Sequence, residues 1–175
     1  AVIDATAHGF SLTRDEEPSL RKFGCAFVES ARQTVYPTHP NLGDMGPLSF
    51  ALFTGPAQAS EQHTLGQRIA SYVHPDSLCR CPSGTGTTAA MTQLASRGNL
   101  ARGDSLLATS WFGSSFIGKV DEVLAIDGKT ALKVSTSSPG WVTARTQIVV
   151  DLDDPLTPGH GLEALLTKTI NGRTP

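Results

Sequence analysis

The chain has 175 residues, which is long enough for one ordinary domain with a hydrophobic core. Apolar residues make up 39% and charged residues 17%, proportions that are typical of a soluble globular protein rather than a disordered one. Fourteen Lys and Arg against sixteen Asp and Glu give a net charge of −2, and this near-balance argues against nucleic acid as the main partner.

Three features that are missing from the sequence bear on the cellular location of the protein. No apolar run approaches the roughly 18 residues of a transmembrane helix, so no membrane partner is expected. A basic segment followed by an apolar one, the pattern of a secretory signal, is not visible at the start. Three cysteines, an odd number, do not make a disulfide framework. A reducing, cytoplasmic location is therefore predicted.

The first 73 residues predict three strands and one helix. Residues 1–12 are typical of a short strand that leads to Gly9. Thr13 or Asp15 can cap a helix over about 18–33, in which Gly24 is a weak point. Apolar side chains recur at three- and four-residue spacing along it and predict one buried stripe: Leu20, Phe23, Phe27, Ala31 and Val35. Later segments alternate between loop and strand: a loop over 36–47, a strand over 48–53 stopped by Gly55-Pro56, a loop over 57–67 and a strand over 69–73.

The second half predicts another helix and a run of strands. Residues 87–97 have a helical pattern, with Gly98 placed to cap its carboxyl end. Asp127-Gly128 between two apolar runs is the strongest hairpin signal in the chain. The remaining elements follow in order: strands over 105–109, 116–126, 130–135 and 141–150, a Pro/Gly-rich loop over 152–161 and a helix over 162–169. These patterns predict a single α+β domain over 1–175, mostly antiparallel strands around one or two helices.

The strongest candidate for a ligand-binding site is the glycine-spaced turn at the start of the second helix, Ser83-Gly84-Thr85-Gly86-Thr87-Thr88. Glycines let the backbone approach a ligand closely, and the first N–H groups of a helix have no partner inside it. With the helix dipole added, such a turn is a ready site for a carboxylate or a phosphate. Taken alone, the pattern is weak and favours a plain helix entry with hydroxyl caps over a ligand site, and it is not a P-loop because the Gly-Lys-Ser/Thr ending is missing.

Arg80-Cys81-Pro82-Ser83-Gly84-Thr85-Gly86-Thr87-Thr88-Ala89 resembles the second active-site motif of the proline racemase and hydroxyproline epimerase family, which reads Asp-Arg-Ser-Pro-Cys-Gly-Thr-Gly-Thr-Ser-Ala. The resemblance extends in order and spacing over nearly the whole chain. It includes His39-Pro40 with residues 48–56, the stretch 113–120 and the segment from Ser138-Pro139-Gly140-Trp141 to Asp154-Pro155-Leu156.

The resemblance implies a fold like one half of diaminopimelate epimerase, with the strands around a central helix. Family members close two such halves on an amino acid, and each half presents a catalytic residue, usually Cys, at a helix N-terminus. One base removes the Cα proton and the other returns a proton to the opposite face, with no cofactor. By resemblance, Gly84, Thr85 and Gly86 bind the substrate carboxylate through the backbone, a geometry suited to stabilising an enolate-like transition state.

Ser83 and Cys81 are the candidate catalytic residues, although both depart from the family pattern. Ser83 occupies the position of the second catalytic Cys, and an alcohol is a weaker base than a thiolate. Family members with Thr or Ser there include dehydratases of 3-hydroxyproline, so Ser83 favours elimination without excluding racemisation. Cys81 stands where the family has Ser; it is either a displaced thiolate or a small buried residue beside the turn.

Cys79 falls at the family's substrate-binding Asp, the carboxylate that contacts the substrate ammonium. Its loss puts an ordinary α-amino acid substrate in doubt, and Asp76 is interpreted as an exposed turn residue rather than a replacement. Cys79 and Cys81 with His74 supply fewer than the about four ligands that zinc requires, so no metal site is predicted. Cys25 is assigned to the core.

The family's first motif, Met-Cys-Gly-His-Gly-Thr, does not occur in these 175 residues. Either an N-terminal portion or a second protein chain in a heterodimer is expected to supply that half. The leading hypothesis is a cofactor-independent isomerase or lyase acting at the α-carbon of a proline-like small-molecule carboxylate. The alternative is a subunit of a heteromeric relative that serves a different reaction on a non-amino-acid substrate, or a non-catalytic partner. A plain binding protein on the same scaffold is a third possibility.

Overall fold

The computed structural model of the chain describes residues 1–147 together with 151, 153 and 155. They belong to two units, residues 1–139 and the residues from Gly140 on. In the second unit, residues 140–147 are exposed and form neither helix nor strand, which differs from the strand predicted over 141–150. The Asp153 N–H donates to the Asp151 carboxylate (3.0 Å). Residues 148–150, most of the loop 152–161 and the helix predicted over 162–169 lie outside the described residues.

The first unit begins with strand β1 (Val2–Asp4) and helix α1 (Glu17–Ala31). A 3₁₀ turn precedes α1, and in it the Thr13 N–H donates to the Glu16 carboxylate (3.0 Å), so Thr13 marks the helix entry as predicted. The buried positions of α1 are Leu20, Gly24 and Val28.

The buried stripe therefore differs from the predicted one. Phe23 and Phe27 only flank the core, and Val35 lies beyond the helix and is 45% exposed. The reason is Gly24: a Cβ at this position would lie 2.6 Å from the ring of Tyr72, so the glycine lets α1 approach the sheet closely.

Among the described residues, seven strands form the main sheet, and helix α2 (Gly84–Ser96) lies between the fourth and fifth of them in sequence. A separate hairpin of β2 (Thr38–His39) and β3 (Gly43–Asp44) occupies part of the segment predicted as loop. The other strands follow in chain order: β4 (Phe50–Ala59), β5 (Leu65–Val73), β6 (Ser77–Leu78), β7 (Ser105–Ser110), β8 (Ser115–Ile126) and β9 (Lys129–Ser137).

The sheet order is β1-β4-β5-β7-β8-β9, with β6 paired to the end of β5. The β1–β4 and β5–β7 pairs are parallel and the other pairs antiparallel. Gly55-Pro56 does not end β4, contrary to the prediction. Pairing with β5 shifts between Thr54 and Ala57, a bulge that accommodates a proline with no N–H to donate. Asp127 and Gly128 both have positive φ (50° and 70°) and close the predicted β8–β9 hairpin.

Helices α1 and α2 pack on opposite faces of the sheet. Along β4, Phe53 belongs to the cluster with α1 and Leu52 to the cluster with α2; along β5, Tyr72 and Ile69 divide in the same way. Contacts of α2 reach β4 and β5 as well as β8 and β9, so the sheet curves around this helix. The mixed α+β fold around a central helix is confirmed. Neither helix in the described part of the chain combines the length and apolar character needed to cross a membrane.

Candidate functional site

The site is built at the N-terminus of α2, where Ser83 is the N-cap. Its Oγ accepts the Gly86 N–H (3.2 Å) and lies 3.0 Å from the hydroxyl of Thr85. Its carbonyl accepts both the N–H (2.9 Å) and the hydroxyl (2.8 Å) of Thr87. Ser83 adopts φ 68°, ψ 141°, a conformation that is costly for a residue with a side chain and is maintained here by these contacts.

Two backbone donors at this end of the helix face outward. Gly84 and Thr85 are exposed, and no acceptor in the described part of the chain bonds to their N–H groups. Gly86 is buried, and its N–H is already bonded to Ser83. Of the three predicted carboxylate-binding residues, Gly84 and Thr85 therefore offer N–H groups to an anion, whereas Gly86 contributes by having no side chain. We call these two N–H groups the cradle.

Gly86 is required by what lies behind it. A Cβ there would lie 2.5 Å from the Ser71 Oγ and 3.2 Å from Leu52 Cδ1. The Ser71 hydroxyl donates to the Pro82 carbonyl (2.9 Å), and the Ser71 carbonyl accepts the N–H of Cys79 (2.9 Å). A buried residue of β5 thus positions the segment that leads into α2.

Side chains next to β7 hold the same segment from another side. The hydroxyls of Ser110 and Ser114 both donate to the Arg80 carbonyl (2.6 and 2.7 Å), and the Trp111 indole donates to the Cys79 carbonyl (2.7 Å). Sequence reasoning missed Ser71, Ser110 and the role of Trp111. The resemblance of residues 113–120 to the family was the available signal for Ser114, but spacing does not reveal what a hydroxyl contacts.

Two concave regions adjoin the cradle. A cavity of about 250 Å³ is lined by Ser83, Thr85 and Gly86 together with Ser71 and apolar residues of β4 and β5. A wider groove of about 900 Å³ runs along α2 and β9 and includes Gly84 and Thr85. Lys129 is the one charged side chain among the described residues that line either region, so no carboxylate faces a ligand there.

Cys79 and Cys81 lie beside the turn but line neither region. Both are half-buried free thiols. Burial, with a smaller contribution from Cys81, raises the pKa of the Cys79 thiol and favours its neutral form. The structure therefore brings Ser83, Gly84, Thr85 and Gly86 together at the cradle and leaves the two thiols at its margin. Their predicted roles remain predictions.

Comparison with known proteins identifies a family for this chain. A family model described as proline racemase matches residues 1–161. A protein of Marinobacter nauticus is 36% identical over 167 residues, 95% of this chain and 48% of its own length. A protein of Chromohalobacter salexigens is 35% identical over 167 residues, 95% of this chain and 46% of its own length. The chain thus spans about half the length of the curated relatives it matches.

Solved structures share the fold. A probable proline racemase from Agrobacterium radiobacter K84 with bound carbonate aligns with a TM-score of 0.73 at 24% identity, covering 89% of this chain and 44% of that one. A hydroxyproline epimerase from Agrobacterium vitis with bound trans-4-hydroxy-L-proline aligns with a TM-score of 0.73 at 23% identity, with the same coverage.

Proposed function

Since the chain belongs to the proline racemase family, we propose that it contributes one half-site of a cofactor-independent isomerase or lyase acting on a proline-like carboxylate. The observation that carries the proposal is the cradle, which opens onto both concave regions. When a Cα proton leaves, negative charge moves onto the carboxylate oxygens. Fixed N–H donors stabilise that charge more strongly than they stabilise the ground state, which lowers the barrier.

The complementary half-site comes, in this proposal, from another segment or from a second protein chain. Support comes from the length of the chain, about half that of its relatives, and from the absence of the Cys-Gly-His-Gly pattern in its sequence. Co-purification from the native source, followed by mass spectrometry, tests this part. A fully active preparation containing this chain alone would contradict it.

The reaction depends on which residue takes the proton. Ser83 faces the cavity, but its hydroxyl contacts only Thr85 and Gly86, and among the described residues no His or carboxylate bonds to it. A single base suffices for elimination: it takes the Cα proton, the C–H electron pair forms the Cα–Cβ double bond, and the base returns that proton to the β-hydroxyl, which leaves as water. Racemisation needs a second group on the opposite face. Ser83 or Cys81 is the base that this half would supply.

A second candidate function is a half-site for a carboxylate without an ammonium group. Cys79 stands where the family has a carboxylate, and burial keeps its thiol neutral. No described residue lining the cavity or the groove is acidic. A substrate ammonium would therefore find no partner on this side of the site.

Solvent exchange of the substrate α-hydrogen tests the chemistry. The assembled protein is incubated in deuterium oxide with proline and its hydroxylated derivatives, and exchange is followed by NMR. We expect exchange that falls about 100-fold or more in Ser83→Ala or Cys81→Ala, whichever removes the base. Full activity in both variants would show that this chain supplies no base. If none of the proline derivatives exchanges its α-hydrogen, the second candidate function is favoured.

A cytoplasmic location, supported by three free thiols, completes the proposal.

A further inference from the structure

A second group of reactive side chains lies on the α1 face of the sheet, opposite the cradle. Cys25 and Glu29 are one turn apart on α1, and His74 directly follows β5. One ligand atom from each residue lies within 4.8 Å of the other two, and the Cys25 thiol is 3.6 Å from a Glu29 carboxylate oxygen. The i and i+4 positions of a helix share a face, so the first pair is fixed by α1 itself.

His74 is held in place by its backbone, while one nitrogen of its ring has no partner among the described residues. Its backbone N–H donates to the Ser49 carbonyl (2.9 Å), which anchors the residue at the end of β5. Its Nδ1 atom is buried and has no hydrogen-bond partner among the described residues. A buried polar atom without a partner costs free energy, and in a native protein such an atom calls for an explanation, of which an ordered water and a bound ion are two.

We propose that Cys25, Glu29 and His74 bind a divalent zinc-type ion. Thiolate sulfur, imidazole nitrogen and carboxylate oxygen are the three donor types that Zn²⁺ accepts, and three protein ligands leave a fourth position for water. The thiolate and the carboxylate together balance the two positive charges. Ligand atoms around tetrahedral zinc are about 3.5 Å apart, given bond lengths of about 2.0 to 2.3 Å. Closing from 4.8 Å requires side-chain rotation, which the exposed Glu29 and half-buried Cys25 permit.

The neighbouring charges leave the three ligands available. Arg21, which shares this surface, pairs with Asp76 (3.5 Å) and Glu17 (3.6 Å) rather than with Glu29. Tyr72 donates its hydroxyl to the Pro75 carbonyl (2.6 Å), and its hydroxyl oxygen also lies beside the Cys25 thiol, a contact that the thiol would exchange for the metal. A metal here would join α1 to the end of β5 without touching α2, so the site is structural and independent of the function proposed above.

Titration with Zn²⁺ and Co²⁺ tests the site in the purified 175-residue chain after chelator treatment. We expect one equivalent of zinc to bind and to raise the melting temperature. Co²⁺ should give the near-ultraviolet absorption of a cobalt–thiolate bond. Cys25→Ser and His74→Asn should each weaken binding by more than about 100-fold, since losing a direct ligand exceeds the 10- to 100-fold cost of losing an outer partner.

Cys79→Ser and His63→Gln are the matched controls, because each removes the same type of side chain outside the cluster. Both should bind like the unaltered protein. If Cys79→Ser abolishes binding, or if Cys25→Ser and His74→Asn both retain it, the assignment is overturned. The cobalt spectrum of the unaltered chain gives an independent answer if a variant fails to fold: metal binding without thiolate absorption, or no binding at all, also overturns the proposal.

Discussion

Gly86→Ala is expected to destabilise the protein although alanine is the better helix former. The new Cβ would lie 2.5 Å from the Ser71 Oγ and 3.2 Å from Leu52 Cδ1, and both residues are buried. Overpacking of this kind costs about 2 kcal/mol. Displacing the Ser71 hydroxyl from the Pro82 carbonyl costs about 1 kcal/mol more, and the helix propensity of alanine returns about 1 kcal/mol. The net loss is about 2 kcal/mol.

Urea denaturation followed by circular dichroism measures this loss, with Gly84→Ala as the matched control. A Cβ at Gly84 meets no heavy atom within 4 Å, so that variant should unfold within about 0.5 kcal/mol of the unaltered protein. For Gly86→Ala, the melting temperature should fall by roughly 4 to 8 °C.

A double-mutant cycle with Ser71→Ala isolates the cause. Removing the Ser71 hydroxyl removes the closest clash, so Gly86→Ala should cost about 1 kcal/mol less in that background. If Gly86→Ala is as stable as the unaltered protein, or if its cost is the same with and without Ser71, the argument from close approach is wrong.

Three further predictions concern other positions. Gly24→Ala should cost about 2 kcal/mol in urea unfolding, because its Cβ would lie 2.6 Å from the buried ring of Tyr72; a neutral result would refute the close helix–sheet approach. Ser83→Gly should stay within about 0.5 kcal/mol in thermal unfolding, since relief of positive φ offsets the lost cap, whereas Ser83→Ala should lose about 1 to 2 kcal/mol; the reverse order would refute the strain. Burial raises the pKa of the Cys79 thiol in the folded protein. The neutral thiol therefore contributes fully to the free energy of unfolding below the pKa of the unfolded chain, and this contribution is lost as the pH rises through the folded pKa. Cys79→Ala should reduce the alkaline loss of stability, leaving a part due to Tyr72, whose pKa burial also raises; unchanged pH profiles would contradict this.

Local sequence signals predicted the elements that depend on local geometry. The hairpin at Asp127-Gly128 follows from two residues that tolerate positive φ, and the entry of α1 follows from a polar cap at Thr13. The helical pattern predicts a start at Thr87, three residues after the helix begins at Gly84. The cradle was predictable because glycine spacing before a helix limits what the backbone there can do.

Other features of the fold and the site depend on tertiary contacts, which local sequence patterns do not reveal. Gly55-Pro56 has the composition of a strand end, but pairing with β5 continues past it through a bulge. By helix propensity alone, Gly24 weakens α1. The packing nevertheless requires a glycine there, since the Tyr72 ring leaves no room for a side chain, and the sequence does not show where that ring lies. Ser71 supports the cradle from a strand eleven residues before Pro82, a partnership that no local pattern encodes.

Successive side chains of β5 point to opposite faces of the sheet, so the support of the cradle by Ser71 depends on the correct register of this strand. Ser71 faces α2 while its neighbours Ala70 and Tyr72 face α1, so a shift of one residue would turn the supporting hydroxyl away and place either Ala70 or the ring of Tyr72 against Gly86. Misregistered chains would therefore retain a sheet but lose the outward N–H pair. The amide resonances of Gly84 and Thr85 should thus distinguish native chains from compact misfolded ones in a refolding experiment, without substrate or an enzymatic assay.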